Sequence, residues 1–347
     1  MAFVTAWVLR VVAASGAEII SWKAIILLCR QGPVESGVTR MDEIRAGPKN
    51  DNLGCFLRMV SIEHVQELRA EVEEQHRQGR FEEAFYQELM TKISFDVPPE
   101  LPDAQTILVV SRPQPSLSVS VRWKGEDIPL TVPPGYADAE DTDDLALAAL
   151  NNLLKPGPYR YVKARLPLRL LAARSGLVKY GRNNITYLPR FGSFHRLTAF
   201  YSDAPCHEDQ WQELEQLSGC DGCDACLRAC PTGAIAEGQF MMRAERCLTQ
   251  LNEKDTSEPF PDWVDPMAHN SLVGCLRCQR VCPYNKNVVY WSSDRGSLSE
   301  EETALLLSGR RTGDDVRALE VKLKGMGLSL SYFPRNLAAL LDNRDEV

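Results

Sequence analysis

The sequence predicts an α+β protein made of a mixed helix–strand domain, a cysteine-organised segment and a short helical tail. Three observations support this class. Helical and extended patterns follow one another irregularly between residues 60 and 205. Eight of the 11 cysteines fall between Cys220 and Cys282, where other periodicity is weak. After Trp291 the chain is again helical in pattern. With 347 residues, 44% of them hydrophobic, the chain can bury a sizeable core.

The first domain, assigned to 59–205, opens with apolar side chains at helical spacing: Ile62, Val65, Leu68 and Val72. A second helix is predicted over 81–93, and a buried strand over 104–112. The alternating stretch 116–123 and the later "IPLTV" predict a hairpin. A helix over 143–155 should end before Pro156. The cysteine-rich domain is assigned to 206–290, and a helical cap to 291–347.

Residues 1–58 are assigned to a poorly defined N-terminal extension. Its apolar runs are interrupted by charged side chains, namely Arg10, Glu18, Lys23 and Arg30. The uncharged stretches are too short for a bilayer crossing, which takes about 20 residues, and the order of features differs from a signal peptide. We therefore expect no membrane partner, and we hypothesise that the working protein begins at Met41 or Met59.

The cysteines form two groups. Cys220, Cys223, Cys226 and Cys230 follow the pattern C-x2-C-x2-C-x3-C-P, in which the fourth cysteine serves the other cluster of a two-cluster bacterial ferredoxin. The second group has Cys275, Cys278 and Cys282, with Cys247 between the groups. The spacing predicts a ferredoxin-like domain with two [4Fe–4S] clusters. One would be held by Cys220, Cys223, Cys226 and Cys282, and the other by Cys247, Cys275, Cys278 and Cys230.

The main alternative for these ligands is structural zinc, because paired CxxC knuckles also bind it. Zinc ribbons do not need the x3-C-P step, so we favour clusters. Clustered thiols indicate a reducing compartment, and we expect the protein to be cytoplasmic. Cys29, Cys55 and Cys206 have no partner at ligand spacing and are interpreted as small apolar fillers.

A basic window extends from Leu145 to Ser202, with ten Lys and Arg residues and no Asp or Glu, in a chain of net charge −8. It predicts either a surface that meets an anion or a set of ion pairs with acidic stretches such as 136–144. Arg182, in "YGRNN", is the best single ligand-binding candidate of the window. No GxGxxG or GxxxxGK[ST] motif indicates a nucleotide site.

These motifs together resemble the epoxyqueuosine reductase family of double-cluster, corrinoid-dependent proteins, which is related to the reductive dehalogenases. The resemblance rests on "LAARSGLVKYGRNN", "FGS", "CDGCDACLRACPTGAI", "RCLTQL", "GCLRCQRVCPYNK" and "PRNLAALLDN". It covers residues 165–342 well and the N-terminal part weakly. It implies that the first domain binds a corrinoid (cobalamin), to which the clusters deliver electrons.

The resemblance also implies cofactor-binding residues. They are Gly176, Gly181, Arg182, Asn183, Ser193 and Thr249. Family members carry an acidic proton donor shortly before the "LA…GLG" segment, where this chain has Val162 and Lys163. No catalytic residue is therefore assigned.

The leading hypothesis is an iron–sulfur oxidoreductase. An external low-potential donor of the ferredoxin or flavodoxin type would reduce the clusters, which would pass electrons to a bound corrinoid for reduction of an unidentified substrate. One alternative is a true epoxyqueuosine reductase acting on tRNA. Another is an electron-transfer activator that reduces the corrinoid of a partner protein.

Overall fold

The computed structural model describes residues 55–136, 139–153, 159–238 and 240–345. The predictions made for residues 1–54, including Met41 as a start and Cys29 as a filler, lie outside this part. The strands are β1 Phe56–Ser61, β2 Thr106–Pro113, β3 Ser116–Trp123, β4 Glu126–Val132, β5 Tyr161–Lys163, β6 Lys179–Tyr180, β7 Thr186–Tyr187, β8 His195–Ser202 and β9 Ser292–Leu298.

The helices are α1 His64–Arg77, α2 Glu83–Lys92, α3 Ala139–Leu153, α4 Leu168–Arg174, α5 Ala225–Ala229, α6 Leu248–Glu253, α7 Arg277–Arg280, α8 Glu300–Leu307, α9 Asp314–Gly325 and α10 Arg335–Asp345. Short 3₁₀ turns lie between them, including Ser218–Cys220 and Pro283–Asn285. Helices and strands are mixed along the chain, so the predicted α+β class is confirmed.

The main sheet has the strand order β1-β2-β8-β5, and all its neighbours are antiparallel. Its register places Met59 opposite Leu108, and Leu108 opposite Phe200. Helix α1 packs on this sheet through the apolar stripe read from the sequence, because Val65, Leu68 and Val72 are all buried in the same core. The sheet and helices α1 and α4 therefore form one hydrophobic core.

A second sheet joins the predicted hairpin to the end of the chain. Strands β3 and β4 turn at Lys124 and Gly125, both at positive φ, as a tight hairpin requires. Strand β9 then pairs in parallel with β3. The tail helices α8, α9 and α10 pack on this sheet around Leu319, Leu323 and Leu337.

Four strands of these sheets were not predicted, namely β1, β5, β8 and β9. Strand β9, in the segment predicted to be helical throughout, has the sequence SSDRGSL and pairs through its backbone, so no apolar alternation marks it. Strand β8 lies between two other strands and is mostly buried, which again removes the alternation. Strand β1 begins at Phe56, inside the stretch assigned to the N-terminal extension.

No helix in the described part of the chain combines the length and apolar character needed to cross a membrane.

Candidate metal centre and adjoining cavity

The first thiol set brings together cysteines from two distant segments. Cys220 ends a 3₁₀ turn, Cys226 lies in α5, and Cys282 precedes the turn Pro283–Asn285. Burial raises the pKa of Cys220 and Cys226, and the nearby charge of Cys282 raises both further. The charge of Cys223 also acts on Cys220. Cys282 therefore lies near Cys220 and Cys226, two of the three cysteines with which the spacing pairs it.

The second set collects the remaining four cysteines. Burial raises the pKa of Cys247 and Cys275, and holds that of Cys278 well above its usual range. The charge of Cys230 raises the pKa of both Cys275 and Cys278. Cys230 thus faces the second set although only three residues separate it from Cys226. Its backbone is extended at the end of α5, and Pro231 prevents the helix from continuing.

Polar groups converge on the sulfur atoms of both sets. The backbone N–H of Arg182 donates to Cys220 Sγ over 3.4 Å, and Asn270 Nδ2 donates to Cys275 Sγ over 3.2 Å. Thr249 lowers the pKa of Cys247 through backbone and side-chain hydrogen bonds, against the larger effect of burial. A side-chain hydrogen bond from Asn183 lowers the pKa of Cys278, again against the larger effect of burial. Such bonds stabilise thiolates, the form that ligates iron.

The donor chemistry of the two sets fits iron–sulfur clusters. Cys230, Cys247, Cys275 and Cys278 line one cavity. Within the described ranges, no three Cys, His, Asp or Glu side chains are placed to hold a single metal ion. Two sets of four thiols with sulfur-directed donors are the arrangement that two [4Fe–4S] clusters use.

The cavity beside the second set has a volume of about 510 Å³, within the usual range for a small-molecule site. The four thiols form part of its wall. Most of the rest is apolar and comes from the first domain. Helix α1, helix α2 with its flanking residues, and the start of α4 contribute Val72, Phe81, Phe85, Leu89, Ile93, Leu168 and Leu170. The cavity therefore lies between the sheet domain and the cysteine-rich domain.

Two of the six residues predicted to bind a cofactor line this cavity. They are Asn183, which is buried, and Thr249. Gly176, Gly181, Arg182 and Ser193 are not among its lining residues. A Cβ at Gly181 would lie 2.6 Å from the Tyr187 ring, so close packing explains that glycine without a ligand.

Arg182 and Ser193 attach the first domain to the cysteine-rich domain. The Arg182 guanidinium donates to the Cys220 carbonyl oxygen over 2.8 Å. Ser193 donates through its backbone N–H to Asn285 Oδ1 over 2.9 Å and through its hydroxyl to Gln279 Oε1 over 2.8 Å. All three residues of this second contact are buried. Their assignment as cofactor contacts remains a prediction.

The basic window is largely neutralised within the described part of the chain. Ion pairs form between Arg160 and both Asp103 and Asp203, between Lys163 and Asp143, between Arg174 and Glu71, and between Lys179 and Glu215. Arg165, Arg182 and Arg196 donate to backbone carbonyls. Among the described side chains, Lys163 pairs with Asp143 of the acidic stretch 136–144, and the other carboxylate partners named here come from elsewhere in the chain.

Three polar residues of the cavity region were not anticipated. Gln75 lines the cavity, and its buried Oε1 has no hydrogen-bond partner in the described structure. Glu253 lines the cavity as well, and its carboxylate accepts a hydrogen bond from the Tyr136 hydroxyl. Burial and the Glu253 charge hold the Tyr136 pKa well above its usual range. Each lies in an ordinary helix or turn pattern, so no motif in the sequence marked them.

Comparison with known proteins defines the class of the cysteine-rich part. Residues 219–285 match the family described as "4Fe-4S double cluster binding domain". The chain therefore carries a double-cluster iron–sulfur domain, and the predicted domain type is confirmed.

The resemblance to epoxyqueuosine reductases is confirmed as well. The Escherichia coli protein of that name is 35% identical over 118 residues, which are 34% of this chain and 30% of that protein. The Bacillus subtilis protein is 35% identical over 119 residues, 34% of this chain and 29% of that protein. The Burkholderia pseudomallei protein is 32% identical over 166 residues, 43% and 40% of the two chains. The matches thus span less than half of these relatives.

The fold is shared over a longer stretch. A crystal structure of a selenomethionine-labelled epoxyqueuosine reductase superposes with a TM-score of 0.57 at 20% identity, covering 87% of this chain and 80% of that one. An epoxyqueuosine reductase bound to an epoxyqueuosine-modified tRNA-Tyr stem loop gives 0.54 at 21% identity with the same coverage. At this identity the similarity establishes the fold.

Proposed function

We propose that the protein is an iron–sulfur oxidoreductase of the epoxyqueuosine reductase type that delivers electrons into the cavity between its two domains. The observation that carries this proposal is the position of the second thiol set, whose four cysteines line that cavity. The first set lies beside the second, because Cys226 and Cys230 are held by the same short helix and its end. A cluster in each set would connect the protein surface to the cavity.

A corrinoid in this cavity is the electron acceptor we propose. The apolar wall suits a large macrocycle, while the unpartnered Gln75 Oε1 is available as a polar contact. When bound, a corrinoid would supply reductive chemistry at cobalt. The residues of this chain would hold it against the second cluster and exclude water, since the lining from α1 and α2 is mostly apolar.

Epoxyqueuosine in tRNA is the substrate that the relatives favour. Their name and the tRNA-bound structure point to it, and nothing on this chain favours another substrate. Removing the epoxide oxygen breaks two C–O bonds and forms a C=C bond. It consumes two electrons and two protons and releases the oxygen as water. The two clusters can supply the electrons one at a time, whereas the protons need a separate source.

Glu253 and Tyr136 are the groups we assign to proton delivery. At the position of the family's acidic residue, Lys163 is exposed and paired with Asp143, and neither lines the cavity. Two carboxylates do line it. Glu71 is held in an ion pair with Arg174 at 2.8 Å, whereas Glu253 is exposed and accepts from the Tyr136 hydroxyl. Glu253 therefore links the cavity wall to the solvent, which is the position a proton-delivering group requires.

The test combines cobalamin binding with complementation. Protein purified without oxygen and reconstituted with iron and sulfide should bind cobalamin. Its gene should restore queuosine to the tRNA of a strain lacking epoxyqueuosine reductase, as measured by mass spectrometry of nucleosides. Glu253→Gln should lower the rescue at least tenfold, whereas Glu258→Gln, which changes an exposed glutamate nearby, should not.

Cobalamin binding without rescue would exclude this substrate. A preparation that binds no cobalamin but accelerates reduction of a partner corrinoid protein would replace the proposal with the activator function.

A further inference from the structure

We propose that the surface around Cys282 is the docking site for an acidic one-electron carrier protein. This surface, the Cys282 face, is defined here by Arg190, Arg280, Val281, Tyr284 and Lys286. The inference rests on the proposed function, because it concerns the entry of electrons into the first thiol set. It adds a location and a partner chemistry, which the cysteine pattern does not provide.

The first set is the one that electrons from outside can reach. Cys282 is flanked by exposed residues on both sides, with Val281 and Tyr284 each 43% exposed. The second set faces inward, since Cys278 and Cys247 lie on the cavity wall and burial raises the pKa of both. Substrate and donor would therefore use opposite ends of the paired clusters.

The Cys282 face is positively charged in a protein of net charge −8. No Asp or Glu occurs from Pro266 to Ser293. Arg280 and Lys286 are exposed, and neither forms an ion pair with another described residue. The cysteine motif holds two acidic residues: Asp224 forms an ion pair with Arg228, and Asp221 is exposed. The charge of this face complements an acidic partner.

A third cation reaches the face from the first domain. Arg190 is exposed in the turn that is closed by pairing between Leu188 and Gly192. This turn packs directly on the cysteine-rich domain: a Cβ at Gly192 would lie 2.0 Å from Asn285 Oδ1 and 2.8 Å from the Tyr284 carbonyl oxygen. Only glycine permits that approach, and its φ of +54° suits glycine as well.

The centre of the face is apolar and held in place. The Tyr284 hydroxyl accepts a hydrogen bond from the Gly219 N–H at 3.2 Å, next to Cys220. Its ring packs edge-on against Tyr187 with 6.1 Å between the centroids. The charge of Cys282 and a hydrogen bond to it raise the pKa of Tyr187, after the larger effect of burial. An apolar centre surrounded by cations is typical of a protein interface.

A protein partner fits this face better than RNA does, because the tRNA substrate of the proposed function must reach the cavity. That cavity is lined by the second thiol set and by none of the residues of the Cys282 face.

The test measures reduction of the reconstituted holoprotein by reduced flavodoxin and, separately, by dithionite. Reversing two charges with Arg280→Glu/Lys286→Glu should lower the second-order rate constant with flavodoxin at least tenfold at low ionic strength. The dependence of that rate on salt should weaken. Dithionite should reduce wild type and variant equally. Arg122→Glu/Arg317→Glu, the same charge change at exposed positions elsewhere, should behave as wild type.

An unchanged flavodoxin rate would overturn the inference. If the double variant also bound unmodified tRNA more weakly, the face would be assigned to RNA instead. If the double variant fails to assemble clusters, Arg190→Glu, in a separate turn, gives the same discrimination. A wild-type protein that accepts electrons through this face but never reduces epoxyqueuosine would retain the docking site and disprove the proposed function.

Discussion

Arg182 holds Cys220 at two atoms: its backbone N–H donates to Cys220 Sγ over 3.4 Å, and its guanidinium donates to the Cys220 carbonyl oxygen over 2.8 Å. The first contact lowers the pKa of a thiol that burial raises. The basic residue singled out in the sequence thus lies beside the first thiol set and not on the cavity wall.

Replacing Arg182 by Gln should lower the reduction potential of the first cluster. A nearby positive charge favours the more negative reduced state, and the substitution removes it. Loss of the charge-assisted hydrogen bond should also destabilise the domain by about 1.5–3 kcal/mol. Redox titration followed by EPR would measure the first effect. Lys179→Gln, a change at an exposed ion pair nearby, should leave the potential unchanged.

The crossed ligand assignment predicts which cluster each cysteine holds. Cys230→Ala should disrupt the second cluster although Cys226 and Cys230 are close in sequence, and Cys282→Ala should disrupt the first although Cys278 is close. Iron analysis should show a loss of about four of about eight irons in each variant. EPR spectra should assign the losses to different clusters. The pairing would be wrong if Cys230→Ala and Cys226→Ala removed the same cluster.

Thr249 should tune the second cluster through its hydroxyl. Its hydrogen bonds lower the pKa of Cys247, and hydrogen bonds to ligand sulfur raise cluster potentials. Thr249→Val, which keeps the shape and removes the donor, should therefore lower the potential of the second cluster. Thr249→Ser keeps the donor and serves as the control. A shift in the first cluster instead would contradict the placement of Thr249.

His195 should make the fold sensitive to acid. It is buried between Ser111, 2.9 Å from Nδ1, and the Thr186 carbonyl oxygen, 3.0 Å from Nε2. Burial lowers its pKa from 6.5 to about 4. Between these values the unfolded chain binds the proton more readily, so stability falls as the pH drops from 6.5 towards 4, by at most about 1.4 kcal/mol per pH unit.

Denaturant unfolding of wild type and His195→Gln at pH 7 and pH 5 tests this contribution. The variant should lose less stability on acidification. Burial also lowers the pKa of His269 to about 4. This effect, like the effect of acid on the clusters, is common to both proteins and cancels in the comparison. Equal losses in the two proteins would show that His195 does not carry the effect.

The sequence predicted the local features because neighbouring residues determine them. Helix α1 follows from the spacing of Val65, Leu68 and Val72, and the hairpin follows from alternation around Lys124 and Gly125. The cysteine spacing predicts two ligand sets, since Pro231 and Pro283 fix the chain direction after Cys230 and Cys282. The same reasoning could not find β9, whose pairing with β3 depends on backbone groups distant in sequence.

By itself, then, the sequence determined the fold class, the double-cluster domain and its similarity to epoxyqueuosine reductases. Only the tertiary structure decided that Asn183 and Thr249 share a cavity with the second thiol set, that Glu253 and Gln75 belong to its wall, and that carboxylates from elsewhere neutralise much of the basic window. The physical reason is that the spacing of cysteine ligands along the chain depends only on short-range backbone geometry. Cavities and ion pairs depend on which distant apolar faces are buried together.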